Sequence, residues 1–239
     1  MTLTDHNALI GAYPFRRLPE PTPERLLAEM GRLGITSAWV GHLPSAFYRD
    51  AASGNDELLA ALEPHRGRLL PVPAVHPAFP GWQREVARAV EASAPAVRTY
   101  PSHYGFDPAG RAMAALCAAC AEAGLEVVLT VRFEDARQRH ALDAAPDLIG
   151  AAVRAAVRSD PRVRLLVTAA DRAFVEEVHF GSTPEEAARI RWDISWIWGP
   201  PEDHLAQLFR TVGRERFVLG THFPLRLPEA ALTKLELAQ

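Results

Sequence analysis

The feature that most constrains this chain is a pattern met eight times along it: a short apolar run, then a segment with apolar residues at helical spacing. An apolar run is what a strand covered on its outer face requires, and the amphipathic segment is what covers it. The runs are Ala8 to Gly11, Ser37 to Gly41 ending at His42, Leu69 to Val75 ending at His76, Ala96 to Tyr100, Val127 to Arg132, Val163 to Thr168, Arg191 to Trp196 and Arg216 to Thr221. Helices are predicted from Glu24 to Leu33, Glu57 to Glu63, Trp82 to Ala92, Ala109 to Ala123 and Asp147 to Val157. Further helices are predicted from Ala173 to Val178, Pro184 to Ala188, Glu202 to Val212 and Glu229 to Leu237. Gly34 and Gly124 stand as stops after two of these.

Eight strand–helix units with no break in composition predict an α/β fold, a single (β/α)8 TIM barrel spanning residues 1–239 as one domain. The structural rival is a doubly wound open sheet. That fold usually carries a glycine-rich phosphate loop after its first strand, and Gly11-Ala-Tyr-Pro is not one. The barrel is favoured.

Composition excludes several partners. With 26 basic against 29 acidic residues the net charge is -3, so neither nucleic acid nor an anionic membrane surface is expected as a partner. No apolar run approaches the ~18 residues of a membrane span. The start, Met1-Thr-Leu-Thr-Asp-His, has neither the basic nor the apolar stretch of a signal peptide, so a soluble, cytoplasmic chain is expected. Cys117 and Cys120 form a CxxC pair, but within an alanine-rich helix rather than at its start, and they read as small buried apolar residues.

Alternation within the strands decides what enters the lumen. Trp192, Ile194 and Trp196 form the outward set of strand 7, which turns Arg191, Asp193 and Ser195 inward. By the same rule Arg98 and Tyr100, Thr130 and Arg132, and Gly220 and His222 point inward. Function in such barrels sits at the strand C-terminal ends. Standing there are His42, His76, Arg98, Tyr100, His103, Arg132, Asp193 and His222, several potential cations and one carboxylate. That set suits a small anionic organic molecule, since arginine stays charged and presents a planar fork to carboxylate or phosphate. Each residue also has a structural reading: Arg98 paired with Asp193, Arg132 with Glu134 or Asp135, and His42 and His76 bonded to loop backbone.

The blocks Asp5 to Gly11, Leu27-Ala-Glu-Met-Gly-Arg-Leu-Gly-Ile, Gly54-Asn-Asp-Glu-Leu-Leu, Ala96-Val-Arg-Thr-Tyr-Pro and Glu215-Arg-Phe-Val-Leu-Gly-Thr-His-Phe-Pro occur in this order over nearly the whole chain. In them the sequence resembles the amidohydrolase-related family of metal-dependent hydrolases, a branch of the amidohydrolase-superfamily barrels. The resemblance implies that barrel and hydrolase-like chemistry at its mouth. It also implies ligand positions for a metal, and these are substituted. Asn7 and Leu9 stand where the family has a His-x-His pair, Thr130 and Ala169 at the strand 5 and 6 histidines, His222 at the strand 8 aspartate and Arg98 at the strand 4 bridging ligand. No metal ligand set is therefore assigned and no cofactor is expected; zinc or manganese would need rearranged ligands drawn from His6, His42, His76, Asp193 and His222.

Two functional readings follow. In one, a hydrolase-like enzyme holds an anionic substrate with Arg98, Arg132, His42, His76 and Tyr100, while His222 acts as general acid or base and Asp193 fixes its tautomer. In the other, a catalytically inactive barrel binds a small anion or serves as a partner subunit. The aromatic run Trp192, Trp196 and Trp198 reads as core, with Trp198 capping the mouth; were it exposed it would mark a homodimer surface.

Overall fold

The computed structural model describes residues 3–19 and 21–238. Met1 and Thr2, part of the N-terminal stretch read above, lie outside the described residues, as do Glu20 and Gln239. Eight parallel strands run β1 (Thr4–Ile10), β2 (Ser37–His42), β3 (Leu69–Pro71), β4 (Ala96–Thr99), β5 (Glu126–Thr130), β6 (Leu165–Thr168), β7 (Ile190–Asp193) and β8 (Phe217–Val218). The α-helices are α1 (Pro23–Leu33), α2 (Ala51–Leu62), α3 (Gln83–Glu91), α4 (Pro101–Tyr104), α5 (Arg111–Ala123), α6 (Gly150–Ser159), α7 (Arg172–Phe180), α8 (Pro184–Ala187), α9 (His204–Leu208) and α10 (Pro228–Leu237).

The ladders join β1-β2-β3 and β4-β5-β6-β7-β8. Two isolated parallel bridges close the gaps, Ala74 with Arg98 between β3 and β4, and Ala8 with Phe223 after β8. At the second seam His6 N donates to Leu219 O, His222 N to Asn7 O and Leu9 N to Phe223 O, each at 2.8 Å. An open sheet would leave these edge groups unpaired, so the ring is closed. The predicted barrel is the fold.

Local chemistry sets the boundaries. Helix α1 begins where Thr22 accepts from Arg25 N, with Pro23 in its first turn, and ends at Gly34 in the left-handed region (φ 70°). Helix α2 starts at Ala51, six residues before the predicted Glu57, because Asp50 caps it by accepting from Ala52 N. Strand β3 is three residues long rather than seven. Pro71 and Pro73 have no N–H to give to a ladder, and only the Ala74 bridge resumes the pairing. Strand β1 is longer than predicted and carries a bulge, since three steps from Asp5 to Ala8 face two from Ala38 to Val40.

The lumen is filled in layers. At the floor Arg191 donates to Glu126 at 2.7 Å and lies over the Trp39 ring at 5.6 Å. Above it pack Val72, Ala96, Val128 and Leu166. The main apolar core lies between strands and helices and includes Trp192, Ile194, Cys117 and Cys120, the last two buried with thiols pushed up by burial. No helix among the described residues is long and apolar enough to cross a membrane.

Candidate functional site at the barrel mouth

Above the apolar layers stands a buried polar centre organised by Asn7. The β1 bulge makes this possible. The Asp5 carboxylate accepts from Asn7 N at 3.0 Å and from the Thr221 backbone and hydroxyl at 3.0 and 2.6 Å, tying the extra residue to the strand end opposite. A bulge re-aims the side chains it inserts. Asn7 enters the centre of the lumen while His6 packs on the lumen residue Trp39, with ring centroids 4.8 Å apart. The alternation rule, which sets these two on opposite faces, fails at this point.

The Asn7 amide makes three bonds. Its Nδ2 donates to Asp193 Oδ2 at 2.7 Å and to His222 Nδ1 at 3.0 Å, and its Oδ1 accepts from Arg98 Nη2 at 3.0 Å. His222 Nε2 lies 3.2 Å from the Phe133 carbonyl, an acceptor, so the proton sits on Nε2 and Nδ1 receives Asn7. Asp193 is also fully engaged, taking Ala169 N at 2.8 Å and the Ser195 hydroxyl at 2.8 Å. Gly220 is required beside it, because a Cβ there would stand 2.6 Å from the Asp193 side chain.

Arg98, Asn7, Asp193 and His222 are all fully buried. Burial pushes the Asp193 carboxyl up. Burial, with the positive charges of Arg226, Arg98 and Arg16 adding to it, pushes His222 down to about 3, so the ring is neutral. His222 also adopts the left-handed backbone (φ 58°), as does Ala169 (φ 59°). Such conformations cost roughly 1–3 kcal/mol each and persist only where the surroundings impose them.

Arg98 does not pair directly with Asp193; Asn7 stands between the two. Among the described residues no carboxylate lies within ion-pair distance of its guanidinium. Its Nη1 has a long 3.5 Å contact with Thr130 Oγ1, and its Nε has no partner. The Tyr100 hydroxyl is buried close enough to Arg98 to feel its charge, but no group stands in good hydrogen-bonding geometry to it. Gly41 flanks this spot: a Cβ there would come 3.6 Å from Arg98 Nε. Beside Tyr100 and Thr130 a narrow cavity of about 10 Å³, room for one water, leads toward Arg132.

The remaining residues of the predicted site separate into a rim and a flank. Arg132 lies on the rim, paired at 2.8 Å with Asp147 and at 2.8 Å with Asp171 rather than with its loop neighbours Glu134 and Asp135. His42 Nδ1 meets the Ser45 hydroxyl at 2.9 Å, and its Nε2 lies 3.5 Å from Glu57. His76 stacks on Tyr104 at 4.4 Å, and Tyr104 donates to Ser45 O, so these two histidines share a flank apart from the Asn7 centre. His103 contacts Asp143 at 3.3 Å.

Aromatic side chains roof the centre. Tyr13, Phe47, Tyr100 and Phe133 pack with Leu9, Leu43 and Leu225. The loop after β1 meets the loop after β5 through Tyr13 and Asp143 at 2.9 Å, Arg16 and Glu134 at 2.7 Å, and Phe15 stacked on His140 at 5.6 Å. Trp196 belongs to the mouth, not to the outer core. Strand β7 ends at Asp193, alternation lapses in the following turn, and the ring lies under Arg226 at 3.8 Å with Arg132 at 5.3 Å. Trp198, expected to cap the mouth, is 55% exposed. Sequence reading missed Asn7 as the hub, Arg226 on Trp196, and the aromatic roof.

No protein-family model matches the chain, and no curated protein matches it. Solved structures do. A putative amidohydrolase from Staphylococcus aureus matches with a TM-score of 0.75 at 10% identity over 99% of this chain and 92% of its own. A probable 2-pyrone-4,6-dicarboxylic acid hydrolase from Acinetobacter baumannii, with citric acid bound, matches with a TM-score of 0.67 at 12% identity over 100% and 92%. A 5-carboxyvanillate decarboxylase from Novosphingobium aromaticivorans, with bound manganese and 3-methoxy-4-hydroxy-5-nitrobenzoic acid, matches with a TM-score of 0.65 at 15% identity over 87% and 73%. At these identities the likeness establishes the fold.

The expectation that no cofactor is involved is overturned by the manganese in the last of these structures, which shows metal use within this fold. The donors of this chain do not fit such an ion. Both Asp193 oxygens and both His222 nitrogens are already bonded, and Arg98 adds a permanent positive charge to the same centre. Among the described residues no group of three or more His, Cys, Asp or Glu side chains is placed to hold a metal.

Proposed function

We propose that this barrel binds a small organic anion at its C-terminal mouth, with Arg98 and Tyr100 receiving the anionic group. One observation carries the reading: a fully buried, permanently charged guanidinium has no carboxylate partner, and its Nε and the adjacent Tyr100 hydroxyl both lack hydrogen-bond partners. A buried charge left in this state is costly, and an anion that accepts from Nε–H and O–H removes the cost. Thr130 offers a third group at the same place, while Arg132 at the cavity entrance is already neutralised by Asp147 and Asp171. The Acinetobacter structure holds citric acid and the Novosphingobium structure 3-methoxy-4-hydroxy-5-nitrobenzoic acid, both small organic anions; the one-water space beside Tyr100 must widen, by parting of the roof loops, to take either.

Titration calorimetry of the full chain with citrate and with benzoate tests this. Wild type binds at least one of them saturably, and Arg98→Gln, which keeps an amide donor for Asn7 but removes the charge, binds at least tenfold more weakly. Equal affinity in a variant with unchanged circular dichroism removes the reading.

A hydrolase-like activity is the second reading, favoured by the strained backbone at His222 within a bonded Asp193–Asn7–His222 array. In it the Nε2–H of neutral His222 donates a hydrogen bond to the negative charge that develops on the substrate carbonyl oxygen, its tautomer held by Asn7, and Asp193 orients that amide. It requires the roof loops to part, because the ring is fully buried with both nitrogens engaged. Turnover of a carboxylate ester or lactone that is abolished in His222→Asn, with citrate binding retained, selects this reading; binding without turnover selects the first.

A further inference from the structure

The outer face of a barrel strand is normally sealed by the helices packed on it. At the seam between β8 and β1 that seal is incomplete. Strand β8 is only Phe217 and Val218; Val218 packs on the lumen layer, and Phe217, which turns outward, is half-buried. The helix leading into it does not stay regular: after α9 the chain makes a π-helical turn over Phe209–Gly213 and a 3-10 turn over Arg214–Arg216. Wide π turns displace side chains from the regular α-helical pattern and recur at ligand sites. Phe209, set on this turn, meets the Phe217 ring at 5.3 Å.

The result is a groove of about 300 Å³ at the N-terminal end of the barrel, with Leu3, Phe209, Phe217 and Leu235 among its walls. His6 lies at its base, held neutral because burial and then the charge of Arg191 lower it to about 4. Among the described residues the one permanently charged side chain on the lining is Arg214. It lies over the Phe209 ring at 4.7 Å, and among the described residues no carboxylate lies within ion-pair distance of it. An apolar trough with one unpaired cation at its edge complements a molecule with a hydrocarbon tail and a single anionic head.

We infer that this seam groove is a second ligand site, separate from the mouth, that takes a medium-chain carboxylate with its tail along the Phe209–Phe217 wall and its head on Arg214. The site is independent of the reading of the mouth.

Calorimetry or ligand-observed NMR with hexanoate, octanoate and decanoate, below micellar concentrations and on the full chain, tests it. Affinity rises roughly two- to fourfold per methylene until the groove is full. Decanol binds at least fivefold more weakly than decanoate, and Arg214→Gln removes that difference. Leu235→Trp, which fills the groove from α10, abolishes binding, and excess citrate leaves it unchanged. The proposal is overturned by non-saturable binding, by affinity independent of chain length, or by an Arg214→Gln variant that still prefers decanoate over decanol. Displacement by citrate also overturns it, since that assigns the carboxylate to the mouth.

Discussion

Tyr100 is the residue at which stability and binding pull apart. Its ring is packed in the roof cluster, yet its hydroxyl is buried with no partner. Burying an unpaired hydroxyl costs about 1–3 kcal/mol by mutational measure. Tyr100→Phe is therefore expected to leave the free protein as stable as wild type or up to about 1 kcal/mol more stable, while weakening anion binding roughly five- to tenfold. Urea unfolding and calorimetry on the same variant check both halves. A variant that loses stability and keeps its affinity would show that Tyr100 is a packing residue only. Arg98, Tyr100 and Asp193 were legible as lumen residues because strict alternation holds from β4 to Tyr100 and up to Asp193, and His222 because the same period, counted on from Val218, reaches it beyond the end of β8. Asn7 was not, because a bulge breaks the period by one residue and nothing in Asp5-His6-Asn7 announces it. In retrospect the signal was Asp5 itself, an acidic residue in a strand whose carboxylate takes the spare backbone N–H.

At the scale of elements, Lys234 is the only lysine of the chain, a compositional oddity with a structural use. From α10 its Nζ donates to the carbonyls of Ile194, Ser195 and Ile197 at 2.8, 3.1 and 2.8 Å, which gathers the turn after β7. That turn carries Ser195 to Asp193 and Trp196 to the mouth. Lys234→Met leaves three carbonyls without their ammonium and is expected to cost about 3 kcal/mol, lowering Tm by roughly 6–12 °C. Differential scanning calorimetry checks this; a shift under 2 °C would mean that water replaces the ammonium at little cost. Element existence was well predicted by apolar periodicity, and element ends were not. Caps such as Asp50 and prolines such as Pro71 and Pro73 act one residue at a time, below the resolution of a periodic pattern.

For the whole molecule, closure of the ring brings residues from β1, β4 and β7 and from the chain after β8 to one point, and it buries their titrating groups. His222 and His6 are lowered by burial to about 3 and about 4, so between pH 6.5 and 4 the unfolded chain binds protons that the native chain refuses. Stability from these two is complete above pH 6.5 and is lost as the pH falls. Asp5, raised by burial to about 6, acts in the opposite sense, adding stability as the pH falls from 6 to 3.8. Asp193, also raised by burial, acts in the same sense as Asp5, so the two histidines dominate only at the upper end of the window, above about pH 6. His6→Gln removes one proton of linkage, so the stability difference between wild type and variant should change by up to about 1.4 kcal/mol per pH unit between 6.5 and 4. Urea midpoints at half-unit steps measure that slope, and parallel curves would show that His6 titrates normally in the native state. The closed ring was legible in the eightfold alternation of strand and helix, whereas the roof was not, since its aromatic residues come from four separate segments, after β1, β2, β4 and β5, and carry no period.

The most direct measurement is a crystal of the protein soaked in bromide and read by anomalous scattering. A peak within hydrogen-bonding distance of both Arg98 Nε and the Tyr100 hydroxyl is the predicted result, because that is where buried donors stand without acceptors. Bromide confined to exposed arginines, with that inner position filled by protein side chains, would contradict the account.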